Sequence, residues 1–503
     1  MHKRINKLTQ KLINSPRFYR FLEMLPGILS LGFICLPLVL ALFNPMWAAY
    51  FILLYMVYWT YNSIKFVVYA FIAHKKVLTV KSIDWLEKLK NDYPGEWNKF
   101  YYVALIPFAS ESINVLRPTV QSIVDNNWPK ERKILCLSSE KAIPKGKQVA
   151  EELRDIYKDE FAYIFITEHE LKEGELKGKS ANQNHAARFL YDELTKLSFE
   201  PKYVLLTSND ADVRNDKEYI PYLIYKFLSE GDDRYFRIFQ PIPTDYSDFW
   251  DAKFFSRLIV SIGANWRLAL QQRDNYRCTV YSFYSMSLYT LKEIGFWDVD
   301  LIPEDERTMF KALFRFGEKF KVVPLFINTY GNPVQSDSFW KAAKEQYIQV
   351  RRWAWGASEF AYSFTHALKN THVSWRVKLL PIFNQLRTVV EWSSSSILPL
   401  LGGYIPGLFS EEFRLTTLNY YLGSTIVLLI QLASLLVLMI VYIEYQLIPK
   451  NDKTKGMTRL LKYVHWILMP YVGLIFSSIP ALDAQIRLLL NRRIVYVESK
   501  KEK

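Results

Sequence analysis

The sequence predicts an α/β domain with a mostly parallel sheet, inserted between α-helical transmembrane segments. Long uncharged stretches lie towards both ends of the 503-residue chain, whereas residues 76–370 contain none long enough to cross a bilayer. A helical crossing needs about 20 apolar residues. Within the middle region, short β-like runs alternate with longer helix-like segments, which is typical of α/β domains. We therefore expect three parts: residues 1–75, 76–370 and 371–503.

The N-terminal part predicts a transmembrane hairpin. Residues 24–64 contain no charged side chain and are interrupted by Asn44-Pro45, which fits two helices and a tight turn. Basic residues flank the run on both sides, so the positive-inside rule places both flanks in the cytoplasm. A cleaved signal peptide is the alternative, but a second apolar helix follows the first instead of a small-x-small cleavage site.

The start of the chain predicts an interfacial helix on the inner leaflet. Its apolar residues stand at helical spacing among basic ones. They are Ile5, Leu8, Leu12 and Ile13.

The C-terminal part contains three further uncharged stretches, at residues 392–410, 415–443 and, apart from His465, 463–482. We expect the first two to cross the membrane. Basic residues lie on both sides of the third, and Pro470 and Pro480 interrupt it, so we expect a re-entrant or interfacial element and four full crossings in all. Five crossings with an external tail is the alternative. The predicted location is the plasma or inner membrane, with the middle domain cytoplasmic.

The middle region predicts six strands and several helices. Helix-like segments separate the runs, for instance at residues 115–125, 181–197 and 249–270. Sheets of this kind bind ligands at the carboxyl ends of their parallel strands. The β-like runs are residues 102–106, 133–137, 163–167, 203–207, 236–240 and 320–327.

Composition narrows the possible functions. Half of the residues are hydrophobic, which excludes a disordered chain. The 64 Lys and Arg exceed the 50 Asp and Glu, giving a net charge of +14. This excess is concentrated beside the apolar helices, so we expect anionic membrane lipids and no nucleic acid as partners. A transporter would show more crossings with ionisable residues inside them, whereas Arg387 and Glu391 are expected only at a helix start. Three cysteines are too few for a disulfide framework and are expected to be reduced and buried.

Two carboxylates follow the fourth predicted strand. The sequence there is Ser208-Asn209-Asp210-Ala211-Asp212. Carboxylates on alternate residues can hold Mg2+ or Mn2+, and the cation can bridge a diphosphate. Such a pair also occurs by chance in a solvated turn. Its place at a strand end strengthens the functional interpretation, and both interpretations stay open at this point.

A second acidic group stands at Glu304-Asp305-Glu306, directly after Pro303. Proline often begins a helix and acids are favoured in the first turn, so capping explains the group without any chemistry. The functional interpretation is that one of these carboxylates acts as a general base.

A third motif places Gln349, Arg352 and Trp353 on one face if the segment is helical. Arginine pairs with phosphate oxygens and tryptophan stacks on sugars. An amphipathic helix at the membrane surface is the alternative.

The order of these motifs, between membrane helices, resembles the membrane-embedded family 2 glycosyltransferases, which include cellulose, chitin and hyaluronan synthases. The resemblance covers about residues 100–360. Further matching segments are residues 103–107, Asn127-Trp128-Pro129, and Lys179-Ser180-Ala181-Asn182-Gln183-Asn184.

The resemblance implies a GT-A domain that uses a nucleotide-diphosphate sugar, most often a UDP-sugar, with inversion at the anomeric carbon. By position, Asp210 and Asp212 look like the pair that binds Mg2+ or Mn2+ and the diphosphate, with Asp212 the more direct ligand. Asp305 looks like the general base, and Glu304 like its supporting neighbour. The remaining residues that look like part of the substrate site are Glu111, Lys179, Gln349, Arg352 and Trp353.

The implied product is a polysaccharide made processively on a carbohydrate or lipid-linked acceptor. A non-processive enzyme making a glycolipid and a catalytically inactive scaffold of the same fold are the alternatives. Two positions depart from the family: Ser138-Ser139-Glu140 stands where an Asp usually contacts the uracil, and Ala109-Ser110-Glu111 retains the Glu but not the Asn of an Asn-Glu pair. Residues 495–500 faintly resemble the gating segment of cellulose synthases.

Overall fold

The computed structural model describes residue 11 and residues 13–272, 279–336, 338–449 and 462–494. The expectations for Ile5, Leu8 and Leu12, for Cys278 and for residues 495–500 lie outside the described residues.

The predicted N-terminal hairpin is present as two long helices, α1 (Pro16–Phe43) and α2 (Pro45–Lys81). Asn44 separates them in an extended conformation, and its side chain accepts a hydrogen bond of 2.9 Å from the backbone N–H of Met46. Pro45 occupies the first position of α2, where its missing N–H costs no intrahelical hydrogen bond. The Asn-Pro pair therefore ends one helix and begins the next.

The middle of the chain forms one eight-stranded sheet with helices on both sides. The strands are β1 (Tyr101–Pro107), β2 (Lys133–Glu140), β3 (Tyr163–His169), β4 (Val204–Ser208), β5 (Arg214–Asn215), β6 (Arg237–Thr244), β7 (Tyr284–Ser287) and β8 (Lys321–Tyr330). The helices are α3 (Trp85–Asp92), α4 (Ile113–Val124), α5 (Pro144–Tyr157), α6 (Lys179–Lys196), α7 (Tyr219–Ser229), α8 (Phe254–Leu270), α9 (Leu288–Glu293), α10 (Glu304–Phe316), α11 (Phe339–Ala354) and α12 (Glu359–Lys369).

The sheet is mixed but mostly parallel. Its strand order is β3-β2-β1-β4-β7-β6-β8-β5. The pairs β2–β3, β1–β2, β1–β4 and β6–β8 are parallel, whereas β7 is antiparallel to both of its neighbours, β4 and β6. The strands β1–β4, β6 and β8 therefore all run in one direction, and they are the six strands that the sequence predicts.

Alternation along the strands divides the core into two layers. In β2, Leu135 and Leu137 pack in the cluster that includes α4, α5 and α7. Ile134 and Cys136 point to the opposite face, where they pack with α6, α10 and α12. Because successive side chains of a strand point to opposite faces, the apolar centre of β2 packs on both sides of the sheet, and all eight residues of the strand are buried.

The C-terminal part consists of α13 (Trp375–Ser394), α14 (Ile397–Leu401), α15 (Ile405–Phe409), α16 (Glu411–Arg414), α17 (Thr417–Leu435), α18 (Val437–Leu447), α19 (Met469–Gly473) and α20 (Ile479–Leu489). Within the described residues, four helical segments are long and apolar enough to cross a membrane: Pro16–Phe43, Pro45–Lys81, Thr417–Leu447 and Tyr463–Leu489.

The number of candidate crossings agrees with the prediction, but one of the four segments is different from the one predicted. Residues 392–410 are divided among the end of α13 and the short helices α14 and α15, because Pro399, Pro406 and the pair Gly402-Gly403 interrupt a regular helix. Residues 463–482, which the sequence predicts to be re-entrant or interfacial, instead lie in Tyr463–Leu489, one of the four candidate crossings.

Two smaller expectations are wrong. Arg387 and Glu391 lie inside α13 and not at its start, and the Tyr58 hydroxyl of α2 donates a hydrogen bond to the Glu391 carboxylate. Cys136 is buried as expected, but Cys35 is exposed on the outer surface of α1. In a helix that faces lipid, an apolar thiol needs no burial within the protein.

Candidate functional site

A cavity of about 1080 Å3 opens at the carboxyl ends of β1 and β4. Its walls come from β1, the segment after β4, α6, α8, α10, α11 and the C-terminal helices α13 and α20. All the site residues suggested by the sequence line it: Glu111, Lys179, Asp210, Asp212, Glu304, Asp305, Gln349, Arg352 and Trp353. In particular, Asp212 and Asp305 face the same space although they come from different elements.

Lys179, the first residue of α6, joins two of the acidic motifs. Its ammonium lies 2.6 Å from Asp210 Oδ1 and 3.3 Å from Glu304 Oε1, and it donates a hydrogen bond of 2.6 Å to the carbonyl of Ser282. Burial alone lowers the pKa of a lysine, but the charges of Asp210 and Glu304 outweigh it and raise the pKa of Lys179. The ammonium therefore stays charged between the two carboxylates.

The carboxylates after β4 suit a cation that a substrate helps to bind. Asp212 is buried, and its Oδ2 accepts a hydrogen bond of 3.0 Å from the backbone N–H of Asn332. Among the described residues, no group of three or more acidic, histidine or cysteine side chains is arranged to hold a metal ion. Mg2+ is usually held by one or two carboxylates together with substrate phosphates, so the pair Asp210 and Asp212 fits such an ion.

The first turn of α10 presents the second acidic group. Asp305 Oδ1 accepts a hydrogen bond of 2.8 Å from the backbone N–H of Glu306. Burial, with the neighbouring charge of Glu304, raises the pKa of Asp305 to about 7. Burial, with the charges of Asp305 and Glu359, raises the pKa of Glu306 to about 8. Asp305 can therefore accept a proton near neutral pH, which an ordinary aspartate does poorly.

An ion-pair network fixes this turn in place. The guanidinium of Arg307 donates two hydrogen bonds to Glu359 at the start of α12, one of them at 3.1 Å. It also pairs with Asp298 at 3.0 Å and lies 3.7 Å from the ring centre of Tyr362. Because Arg307 and Glu359 are both buried, the pair ties α10 to α12 and orients the carboxylates that precede it.

Helix α11 faces two ways. Gln349, Arg352 and Trp353 line the cavity, and Trp353 keeps 38% of its surface exposed. Arg351 instead lies 3.0 Å from Asp483 of α20. Neighbouring arginines on one helix therefore serve different surfaces, one in the cavity and one against the last membrane-side helix.

The segment Ser138-Ser139-Glu140, which differs from the family pattern, lies at the end of β2, and Glu140 lines the cavity. His169 Nδ1 is 2.9 Å from Glu140, and its Nε2 is 3.0 Å from Glu175. Burial lowers the pKa of His169, but the two carboxylates outweigh it and raise the pKa overall. The Glu140 carboxylate is thus held in a fixed orientation at one end of the cavity.

The cavity also contains residues that the sequence analysis missed. The pair Asp245 and Arg267 (3.1 Å) and Glu306 line it. From the C-terminal helices, Gln385, Glu391 and Trp392 of α13 and Gln485 of α20 line it as well. Glu306 belongs to the second acidic group and could have been assigned to the site, whereas the other residues belong to no motif and only the fold brings them to the cavity.

Comparison with known proteins gives distant structural similarity only. No protein-family model and no curated protein matches the chain. A mannosyltransferase from Pyrobaculum calidifontis, solved with GDP-Man and Mn2+, is similar at 12% identity and a TM-score of 0.36, covering 85% of this chain and 100% of that one. TarS 1–349 from S. aureus is similar at 12% identity and a TM-score of 0.31, covering 64% of this chain and 92% of that one, both alone and with UDP-GlcNAc. The structural neighbours are thus glycosyltransferases, some of them solved with nucleotide sugars, and each shares about one residue in eight with this chain.

Proposed function

We propose that the chain is an inverting membrane glycosyltransferase of family 2, with a GT-A domain, that moves a sugar from a UDP-sugar to a hydroxyl acceptor. One observation carries the proposal. Asp210 and Asp212, Glu304 and Asp305, and Gln349, Arg352 and Trp353 come from three distant parts of the chain and line one cavity. The mostly parallel sheet, with this cavity at the carboxyl ends of its strands, supports the GT-A domain.

The proton transfer falls to Asp305. Its carboxylate takes the proton of the acceptor hydroxyl while the hydroxyl oxygen forms a bond to the anomeric carbon of the donor sugar. The bond from that carbon to the diphosphate breaks on the opposite side, and the diphosphate leaves with the electron pair. Attack opposite to the leaving group inverts the anomeric centre. Glu304, held by Lys179, raises the proton affinity of Asp305 through its charge.

Positive side chains receive the diphosphate. Lys179 and Arg352 line the cavity and bring charge to the oxygens on which negative charge develops. We propose that Asp212, with Asp210, holds Mg2+ or Mn2+, which when bound supplies further positive charge to the leaving group. Since Lys179 already contacts Asp210 Oδ1, Asp212 is the more direct ligand. Glu111 accepts a hydrogen bond of 2.7 Å from the backbone N–H of Ala109 and shapes the donor end of the cavity.

The shape of the cavity supports a polysaccharide as the product. It continues from the acidic groups to polar side chains of α13 and α20, including Gln385, Thr388 and Gln485. Polar groups between apolar helices suit a chain of sugar hydroxyls more than a lipid tail. We therefore favour processive synthesis in the plasma or inner membrane, with the α/β domain in the cytoplasm. A glycolipid formed on a lipid-linked acceptor is the alternative product.

Purified protein in detergent or nanodiscs can be tested against UDP-, GDP- and dTDP-sugars, with and without Mn2+. We expect one UDP-sugar to give Mn2+-dependent nucleotide release and a lengthening carbohydrate product. The Asp212→Asn variant should lose metal-dependent turnover. Donor binding without turnover by the unaltered protein would instead identify an inactive scaffold and contradict the proposal.

A further inference from the structure

A second cavity, of about 510 Å3, lies where three distant parts of the chain meet. The start of α1, the end of α12 and the segment after α20 form its walls. The charged residues that line it include Arg20, Glu23, Lys369 and Arg493. None of these residues has a role in the proposed transfer of a sugar.

Cationic side chains from all three parts converge on this cavity. Arg20 comes from α1, Lys369 from the last turn of α12, and Arg493 from the segment after α20. The carboxylate of Glu23 is buried and pairs with Arg20 at 3.0 Å and with Arg493 at 3.1 Å. Among the described lining residues, three cationic groups therefore face a single carboxylate, and positive charge remains in excess.

Two of the three cationic groups, Arg493 and Lys369, remain open to an anion. Arg493 uses one guanidinium nitrogen for Glu23, and its side chain is 64% exposed. Lys369 is exposed at the rim. A guanidinium presents five donors, so Arg493 can bind a second anionic group while it stays paired with Glu23.

Uncharged donors add to the positive charge. Asn14 and Asn491 line the same cavity. Ser15 precedes the 28-residue α1 and makes no side-chain capping hydrogen bond within the described part of the chain. Charge-assisted hydrogen bonds from several donors at once are what a phosphate group needs.

The position of the cavity favours a phosphate that belongs to a lipid. The uncharged run of residues 24–64 begins directly after Glu23, so Arg20 and Glu23 stand at the edge of the apolar span. The cavity is on the side of that edge that faces the α/β domain, because α12 forms one wall. Basic pockets at this level between membrane helices are suited to lipid headgroups.

We propose that this cavity binds the phosphate headgroup of an anionic phospholipid. Binding depends on Lys369 and Arg493 and is separate from the sugar-transfer site. The headgroup fills the space between α1, α12 and the end of the chain, while its acyl chains lie along the apolar surface of α1.

Native mass spectrometry of the full chain, released from nanodiscs of phosphatidylcholine with a minor fraction of phosphatidylglycerol, tests the proposal without any activity assay. We expect one phosphatidylglycerol to remain bound per chain. Lys369→Gln and Arg493→Gln should each weaken its retention about fivefold, and the double variant more. Arg376→Gln is the matched control, because Arg376 is an exposed arginine near the start of α13 and does not line the cavity.

Arg20 is left unchanged in this test because it also donates hydrogen bonds of 2.6 and 3.0 Å to the carbonyls of Leu488 and Leu489 and supports the end of α20. Equal retention by the double variant and by Arg376→Gln would overturn the proposal. A second arm adds inorganic phosphate during release. Undiminished lipid retention supports a headgroup site, whereas loss of the lipid at millimolar phosphate would assign the cavity to a soluble phosphate compound and overturn the lipid assignment.

Discussion

The ammonium of Lys179 lies 3.3 Å from Glu304 Oε1 and so connects the beginning of α6 to the beginning of α10. The same nitrogen is 2.6 Å from Asp210, which places one positive charge between the two acidic motifs of the cavity. Without it, Asp210, Glu304 and Asp305 would repel one another in a space that is largely shielded from water. Lys179 therefore holds the site together before any donor binds.

A double-mutant cycle measures this connection. Lys179→Met leaves the buried Glu304 carboxylate unpaired and should lower the thermal midpoint of unfolding. Glu304→Gln in the same chain should recover part of the loss, with a coupling free energy of about 0.5–3 kcal/mol. Lys196→Met is the control, because its ion pair with Glu193 at the other end of α6 is exposed. Strictly additive effects of the two substitutions would show that the contact contributes nothing.

Replacing the proposed base should separate binding from chemistry. Asp305→Asn keeps the size of the side chain but cannot take a proton, so we expect turnover to fall by about 10²–10⁴-fold while the donor dissociation constant changes little. Sugar transfer and calorimetric donor binding check the two quantities. Asp300→Asn, an exposed acid before α10, is the control and should remain active. A fully active Asp305→Asn variant would refute the assignment of the base.

The rate should also depend on pH near neutrality. Only ionised Asp305 accepts a proton, and its pKa is raised to about 7, so the active fraction falls as the pH drops below that value. We expect kcat/KM to fall about tenfold per pH unit on the acid side and to level off above it. The residual turnover of Asp305→Asn should not show this decrease at low pH. A rate that stays level well below neutral pH in the unaltered protein would contradict the prediction.

The Arg307–Glu359 pair should matter more for stability than an exposed pair on the same helix. Arg307→Gln leaves a buried carboxylate without its partner, which costs about 3–5 kcal/mol and should lower the thermal midpoint strongly. Arg315→Gln removes a bridge to Glu293 in which the arginine is 57% exposed, and should cost about 0–1 kcal/mol. Thermal unfolding in detergent compares the two. Similar thermal midpoints for the two variants would mean that the Arg307–Glu359 pair contributes little to stability.

Trp353 should affect product length. Its indole lines the cavity, where it can stack on the acceptor sugar, so Trp353→Ala should shorten the carbohydrate product more than it slows donor hydrolysis. Trp340→Ala is the control, since Trp340 lies at the other end of α11 and is 79% exposed. Gel analysis of labelled product gives the length. Unchanged length with reduced hydrolysis would place Trp353 at the donor instead.

The sequence predicts the apolar strands. It misses β5 and β7, which are strands only because they form hydrogen bonds with neighbouring strands. The six predicted runs are all found, because apolar residues predominate in each of them and leave a continuous signal. The strand β7 contains Tyr284-Ser285-Met286-Ser287, half of it polar, and β5 has only two residues. Both exist because neighbouring strands supply hydrogen-bond partners, which a local pattern does not record.

The acidic motifs could be recognised individually, and the sheet explains why those after β1 and β4 meet. Parallel strands bring their carboxyl ends to one edge. The meeting of Asp305 with Asp210 is different, because it depends on how α10 packs and on the reach of Lys179. The contribution of Gln385 and Gln485 to the cavity could not be predicted either, because it depends on how α13 and α20 pack against the α/β domain.

Helix α11 carries Arg352 and Trp353 on its cavity side, and Arg351 pairs with Asp483 of α20 on the other. The hydroxyl of Tyr347 donates a second hydrogen bond, of 3.3 Å, to Asp483. A truncated protein that ended before α13 would therefore lose the anchor of one wall of the proposed active site. Water-soluble fragments of this chain should be inactive even when the sheet folds, and activity measurements require the intact polypeptide in a lipid or detergent environment.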